Sequence, residues 1–258
     1  MPPTSPPYSQ LALIWDHMRQ DSHSKHMVPY AQEVLRRLKA KPQSALDLCC
    51  GTGSAIELMI AAGIPTDGLD QSAAMLAMAA RKLKGRGVTL YRKSLPDFRI
   101  PIGRDATRMR QYDLITCFFD SLNYLTKAAD LQKAFRCVKR HLAPGGVFIF
   151  DMNTPHALQT IWDEQVYADA RDDLGWVWKN HYDPGRRLAT CEATCFYKKG
   201  TAWHRFDEVH YERGYDNEQI KRMLITAGLK IRGFWKCHTF SRPTKITYRI
   251  AVAAQRPK

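Results

Sequence analysis

Ala45-Leu46-Asp47-Leu48-Cys49-Cys50-Gly51-Thr52-Gly53-Ser54, with Asp70 nineteen residues beyond Gly51, is the stretch that decides the fold. It reads as a strand, a glycine turn and a helix start, followed by a second strand ending in a carboxylate. Such a unit lays a ligand against bare backbone while the carboxylate reaches a ribose. What the turn lacks narrows the ligand. A phosphate-binding loop places Lys after its second Gly, and none is present. The dinucleotide pattern G-x-G-x-x-G requires a third Gly where Ile56 stands.

Asp47 points the same way, because a carboxylate beside the loop repels an anion and suits a cation such as an amino group. A cationic, ribose-bearing ligand without phosphate points to S-adenosylmethionine. The bland alternative is a tight turn in an unrelated α/β protein. Asp47-Leu48-Cys49-Cys50-Gly51-Thr52-Gly53 resembles the first motif of class I S-adenosylmethionine-dependent methyltransferases. Asp70-Gln71-Ser72 with Met75, Leu76 and Ala79 resembles their second, and Leu142-Ala143-Pro144-Gly145-Gly146 their turn before the fifth strand. Two positions depart from the pattern. Cys49 replaces the usual first Gly, and Ser94 stands where many members carry an Asp near the adenine.

The chain has 258 residues, 45% of them hydrophobic, and a formal net charge of +14. That length suits one domain with an elaboration. No apolar run reaches membrane-spanning length. The segment Met1-Pro2-Pro3-Thr4-Ser5-Pro6-Pro7 lacks a signal pattern and reads as an extended tail. The seven cysteines have neither C-x-x-C nor zinc spacing, so no metal is expected; buried free thiols and a cytoplasmic setting are. Basic residues cluster at Arg36-Arg37-Leu38-Lys39, Arg81-Lys82-Leu83-Lys84, Arg104 to Arg110 and Lys139-Arg140. No helix carries a long basic stripe, so a basic solvated surface is favoured over a polyanion-binding face.

Periodicity predicts two helical segments over residues 8–39, split near Asp21-Ser22-His23-Ser24. Strands follow at 45–49, up to Asp70, at 88–92, at 112–118 and at 147–151. Helices are expected at 54–62, 73–83 and 128–141, with Ser72 capping the second. This alternation predicts an α/β fold, a doubly wound, mostly parallel seven-stranded sheet. Residues 155–215 switch to period two, with strands at 176–182, 188–198 and 202–215, and read as an inserted antiparallel sheet. A helix at 217–227 and strands at 229–237 and 246–254 complete the main sheet. The expected organisation is an N-terminal helical lid over 1–40, a cofactor-binding core over 41–154 and 216–258, and the insert over 155–215. The insert covers the substrate or makes a homodimer contact.

Tyr8, Ala12, Trp15 and Asp16 resemble a lid helix of one methyltransferase branch, small-molecule N-methyltransferases of the amino-sugar type. Phe119-Asp120-Ser121-Leu122-Asn123-Tyr124 and Glu208-x-His210-x-x-Arg213-x-Tyr215 resemble the same branch. The resemblance implies methyl transfer to nitrogen or oxygen of a small molecule. It implies S-adenosylmethionine contacts from Tyr8, Trp15, Tyr30, Asp47, Cys49, Gly51, Thr52, Gly53, Asp70, Gln71, Met75, Ser94, Leu95, Cys117 and Asp120. His210 is the candidate base or positioning residue. Glu208 shares its strand face and can orient the ring, and Asn123 is a candidate contact at the methyl group. The insert is aromatic, with Trp162, Trp178 and Tyr211 among its rings, which either line a pocket or form its own core. The competing readings are an RNA or other nucleic-acid methyltransferase that uses the basic surface, and a protein methyltransferase.

Overall fold

A computed structural model describes residues 6–18, 22–103 and 105–258. Residues 1–5 of the expected N-terminal tail, and with them Asp21 and Arg104, lie outside the described residues. In chain order the strands are β1 (Ala45–Leu48), β2 (Thr66–Asp70), β3 (Leu90–Arg92), β4 (Pro101–Ile102), β5 (Asp105–Met109), β6 (Tyr112–Cys117) and β7 (Leu142–Asn153). There follow β8 (Val166–Ala170), β9 (Leu174–Asp183), β10 (Leu188–Lys199), β11 (Ala202–Arg213), β12 (Lys230–Lys236) and β13 (Arg249–Gln255). The helices are α1 (Ser22–Arg37), α2 (Ser54–Ala61), α3 (Ala73–Lys82), α4 (Ala128–His141), α5 (Pro155–Ile161) and α6 (Asn217–Thr226).

The main sheet has seven strands in the order β12-β13-β7-β6-β1-β2-β3. Pairing is parallel from β7 to β3 and antiparallel where β13 joins β7 and β12 joins β13. This is the expected doubly wound, mostly parallel sheet. All four residues of β1 are buried, as a strand covered on both faces must be. On one face, Met27 and Val34 of α1 pack with Ala55 and Met59 of α2. On the other, Leu131, Phe135 and Val138 of α4 pack with Ile220 and Leu224 of α6. Ser72 caps α3 as expected, accepting from the Met75 N–H at 3.2 Å.

The insert is a four-stranded antiparallel sheet, β11-β10-β9-β8. The period-two reading found β9, β10 and β11. It missed β8, whose five residues are all exposed, so no core face imposes an alternation. It also missed α5 and the ribbon β4–β5. Thr154 caps α5 by accepting from the Ala157 N–H at 3.1 Å, with Pro155 in the first turn.

The first helical segment is corrected by the structure. Residues 8–18 form turns around a three-residue 3₁₀ turn, Leu11–Leu13, and not a helix. The cause is competition for backbone donors. The amides of Tyr8, Gln10 and Leu11 donate to the Glu208 carboxylate at 2.7, 2.8 and 3.0 Å. Tyr8 itself is held at φ 59°, which a helix excludes. The second segment is a helix, α1, and it packs Met27, Val28, Ala31 and Val34 into the main core.

Candidate active site

Strand order reverses between β1 and β6, because connections leave β1 towards β2 and return from β3 to β6. Ligands of open α/β sheets bind beyond the carboxyl ends of the strands at such a reversal. A cleft with about 880 Å³ of atom-free space, partly open to solvent, lies there. Its floor is the glycine turn. Cys49, Gly51 and Gly53 all have positive φ, at 55°, 54° and 80°. Gly51 faces open space, whereas a Cβ at Gly53 would sit 2.8 Å from Leu83 Cδ1. The first Gly thus leaves bare backbone on the cleft, and the second is needed for close packing on α3. Cys49 occupies the left-handed region without a glycine's freedom, an uncommon backbone state for a side-chain-bearing residue.

Two carboxylates border the turn. Asp70 Oδ2 accepts from the Gly51 N–H at 2.9 Å, and Oδ1 from the Ser72 N–H at 2.8 Å. Burial pushes its carboxyl up, against the pull of these backbone donors. Asp47 is 3% exposed and accepts from the Thr116 hydroxyl at 2.6 Å. Burial pushes Asp47 up to about 7, with the Thr116 bond opposing.

Tyr8, Trp15, Asp47, Cys49, Gly51, Thr52, Asp70, Gln71 and Met75 line the cleft. Ser94 and Leu95 line an adjoining recess that shares Cys49, Gln71 and Tyr124 with it. Gly53 and Cys117 lie behind the turn, and Cys117 is fully buried. Tyr30 is elsewhere, donating its hydroxyl to the Thr239 carbonyl at 2.7 Å and stacking on Phe240. Its place on α1 turns it to the core face and away from the cleft.

Asn123 also departs from expectation. It is fully buried, its amide donates to the carbonyls of Asn153 (3.0 Å) and Arg213 (2.9 Å), and its oxygen accepts from the Asn153 N–H at 3.0 Å. These bonds tie the ends of β7 and β11 to the loop after β6, so Asn123 is a brace with no group turned to a reacting atom.

A second cavity, with about 430 Å³ of atom-free space, opens off the first and shares Tyr8, Trp15, Phe119 and Tyr124 with it. Trp162, Trp178, His210, Asp120 and Glu212 complete its wall. A hydrogen-bonded series crosses it. Tyr8 Oη lies 2.7 Å from Tyr124 Oη, which lies 3.0 Å from His210 Nδ1. His210 Nε2 stands 3.3 Å from Glu208 Oε2, within ion-pair reach but outside hydrogen-bond geometry. Burial pushes the Glu208 carboxyl up, yet His210 and the amides of Leu11, Gln10 and Tyr8 outweigh it and leave it below its ordinary value.

The segment 8–18 is latched over both cavities. The Thr52 hydroxyl donates to Asp16 at 2.7 Å, Lys82 reaches Asp16 at 2.8 Å, and the Ser72 hydroxyl donates to the Tyr8 carbonyl at 2.8 Å. Tyr124, Phe119 and Glu212 were not singled out as site residues from sequence. Glu212 had a signal, since Glu208, His210 and Glu212 occur every second residue on β11 and so share one face.

Residues 45–146 match the model of a family described as a methyltransferase domain. In structure the chain is similar to an S-adenosylmethionine-dependent methyltransferase from Clostridium acetobutylicum, with 30% identity and a TM-score of 0.83, covering 97% of this chain and 99% of that one. In sequence it is similar to YqeM of Bacillus subtilis, a protein named as a methyltransferase, at 27% identity over 97% of this chain and 98% of the relative. It is 33% identical, over 46% of this chain and 44% of the relative, to dTDP-4-amino-2,3,4,6-tetradeoxy-D-glucose N,N-dimethyltransferase of Saccharopolyspora spinosa.

Proposed function

Because the chain belongs to the S-adenosylmethionine-dependent methyltransferases, we propose that it moves the methyl group to a nitrogen or oxygen of a small molecule held in the second cavity. The observation that carries this reading is the lining of that cavity beside the cofactor cleft. The segment 8–18, the insert and the loop after β6 each contribute walls to it. Such a recess suits a compact acceptor placed next to the methyl group. The similarity to a sugar N,N-dimethyltransferase supports a small-molecule acceptor.

S-adenosylmethionine supplies a methyl group on a sulfonium, which is already a good leaving group. The protein's task is therefore to bind, orient and exclude solvent. In this reading Asp70 accepts from the ribose hydroxyls, Gly51 allows close backbone approach, and the Ser94–Leu95 recess takes the adenine. Asp47 takes the cofactor's ammonium. The donor set fits, because among the described residues Asp47 is a buried carboxyl hydrogen-bonded to a neutral hydroxyl and to no cation. His210, steadied by Tyr124 and Glu208, positions the acceptor. The segment 8–18 and the insert act as its roof.

Incubation with methyl-labelled S-adenosylmethionine and fractionated cell extract tests the proposal. Label is expected in the small-molecule fraction. Label confined to RNA, DNA or protein overturns it.

The Asp47 assignment makes a pH prediction. Its carboxyl rests at about 7 against an ordinary value of 3.8, so below pH 7 the ligand-free protein holds a proton there. A bound ammonium favours the carboxylate and expels that proton. Affinity for S-adenosylmethionine should therefore rise with pH towards 7, by up to about tenfold per unit, and level off above it. Calorimetry in buffers of different ionisation enthalpy should record proton release near pH 6. Asp47→Asn should abolish the release, and a wild-type profile flat across pH 5–8 would count against the assignment.

A further inference from the structure

The second cavity carries more charge than catalysis by position alone requires. Asn153 Nδ2 donates to Asp120 Oδ2 at 2.5 Å and to Glu212 Oε2 at 2.9 Å, which brings two carboxyls to one amide. Arg249 reaches Asp120 at 3.3 Å and Asp151 at 2.5 Å. His23, at the start of α1, lies 3.4 Å from Asp151 and packs its ring edge-on against Phe119. Two carboxyls thus contact one guanidinium while a third, Glu212, shares an amide with Asp120, and all three are less than a tenth exposed.

The excess is uneven in space. Asp151 holds Arg249 Nη1 and accepts from the Phe119 and Asp120 amides, and it does not line the cavity. Asp120 and Glu212 do line it. Burial, with the Asp120 charge next, drives the Glu212 carboxyl well above its ordinary range. A site that must hold a proton to stay neutral gains when a cation replaces that proton. Of the remaining titratable groups on this wall, His210 is 4% exposed and its Nε2 has no hydrogen-bond partner, while Tyr8 and Tyr124 are neutral hydroxyls bonded to each other. The rest of the wall is Leu11, Ala193 and the neutral, buried thiol of Cys191, with Trp15, Phe119, Trp162 and Trp178 presenting electron-rich rings.

We propose that the second cavity recognises an ammonium group on an organic acceptor, with Glu212 and Asp120 as its counter-charge and the tryptophan and phenylalanine rings as its cage, so that Glu212 selects amines over hydroxyl acceptors. This rests on the methyl-transfer reading of the cleft and decides between the two acceptor atoms that reading leaves open. A hydroxyl offers no charge to offset the buried pair, and it leaves the proton on Glu212 where it was. An alkylammonium satisfies the carboxyl and the ring faces together. For transfer the bound ammonium first gives its proton to Glu212, whose buried carboxyl favours the protonated form, which frees the nitrogen lone pair for the methyl; the methylated product is again a cation, so the same cage accepts an amine that has already received one methyl.

The test uses the full chain saturated with S-adenosylhomocysteine and two probes, benzyltrimethylammonium and benzyl alcohol, titrated by calorimetry. Wild type is expected to bind the cation at least about tenfold more tightly than the alcohol. Glu212→Gln keeps the size and an acceptor for Asn153. It should weaken the cation by about tenfold, leave the alcohol unchanged and leave S-adenosylhomocysteine affinity within about twofold. Equal binding of the two probes by wild type overturns the inference without any variant. So does undiminished cation binding by Glu212→Gln. A wild-type chain that fails to bind S-adenosylhomocysteine at all overturns instead the reading of the first cleft.

Discussion

Asp70→Ala is expected to lower the affinity for S-adenosylmethionine by roughly 100-fold or more, since hydrogen bonds to a charged group are worth about 1.5–3 kcal/mol each. Two effects combine. The proposed ribose contact is lost, and so is the support of the turn, because both carboxylate oxygens hold backbone amides, Gly51 on one side and Ser72 on the other. Each oxygen has a second lone pair, so holding the turn and accepting from a ribose are compatible. Asp70→Asn separates the two effects. Its amide can accept from one of these N–H groups but must turn its NH₂ towards the other, so an intermediate loss of about tenfold is expected. Calorimetric titration with S-adenosylmethionine decides it, with circular dichroism to show that the variants fold. Affinity at the wild-type level in Asp70→Ala would sink the ribose assignment.

Much of this architecture was legible because it is local. The unit from Ala45 to Asp70 is a strand, a turn and a helix whose periods and glycines need no partner to be recognised, and Ser72 announces α3 from within four residues. The order of motifs then placed the cleft. What the sequence hid depends on distant contacts. Residues 8–18 carry a helical spacing, yet a carboxylate 200 positions further on takes the amide of Tyr8. Asn123 looked like a polar residue beside a reactive centre, but its amide reads three backbone groups that meet only after β7 and β11 are in place. Tyr30 sits on a face of α1 whose neighbour, Phe240, comes from the far end of the chain. Arg213 and Tyr215 also turned out to serve the frame, bonding the carbonyls of Thr126 and Leu125 after β6. The chemistry-bearing face of β11 was half legible, with Glu208 and His210 seen and Glu212 overlooked between Tyr211 and Arg213.

Glu208→Ala is expected to release segment 8–18 and reduce methyl transfer by about 100-fold or more, the scale at which misplacing a site's walls affects rate. The carboxylate is fully buried and takes the amides of Tyr8, Gln10 and Leu11. Without it, three N–H groups remain away from water at about 1–3 kcal/mol each. The segment's apolar anchors, Leu11, Ile14 and Met18 against Leu174 and Phe206, contribute about 1.5–3 kcal/mol each, a total of the same size, so loss of the carboxylate leaves the closed segment with little net stability. Opening removes Tyr8, Leu11 and Trp15 from the wall of the second cavity, whereas the cofactor cleft keeps Asp47, Asp70 and the turn. Turnover should therefore fall far more than S-adenosylmethionine affinity. The pH dependence has a definite sign. The Glu208 carboxyl lies below its ordinary 4.5 in the folded chain, so its contribution is complete above that value and is lost as pH falls through the lower, folded one. Amide exchange at Tyr8, Gln10 and Leu11 should stay slow from neutrality down to about pH 4.5 and accelerate in stronger acid beyond the intrinsic trend. In Glu208→Ala it should be fast throughout. Unchanged protection of these three amides in the variant would show that the latch is held by Thr52–Asp16 and Ser72 alone.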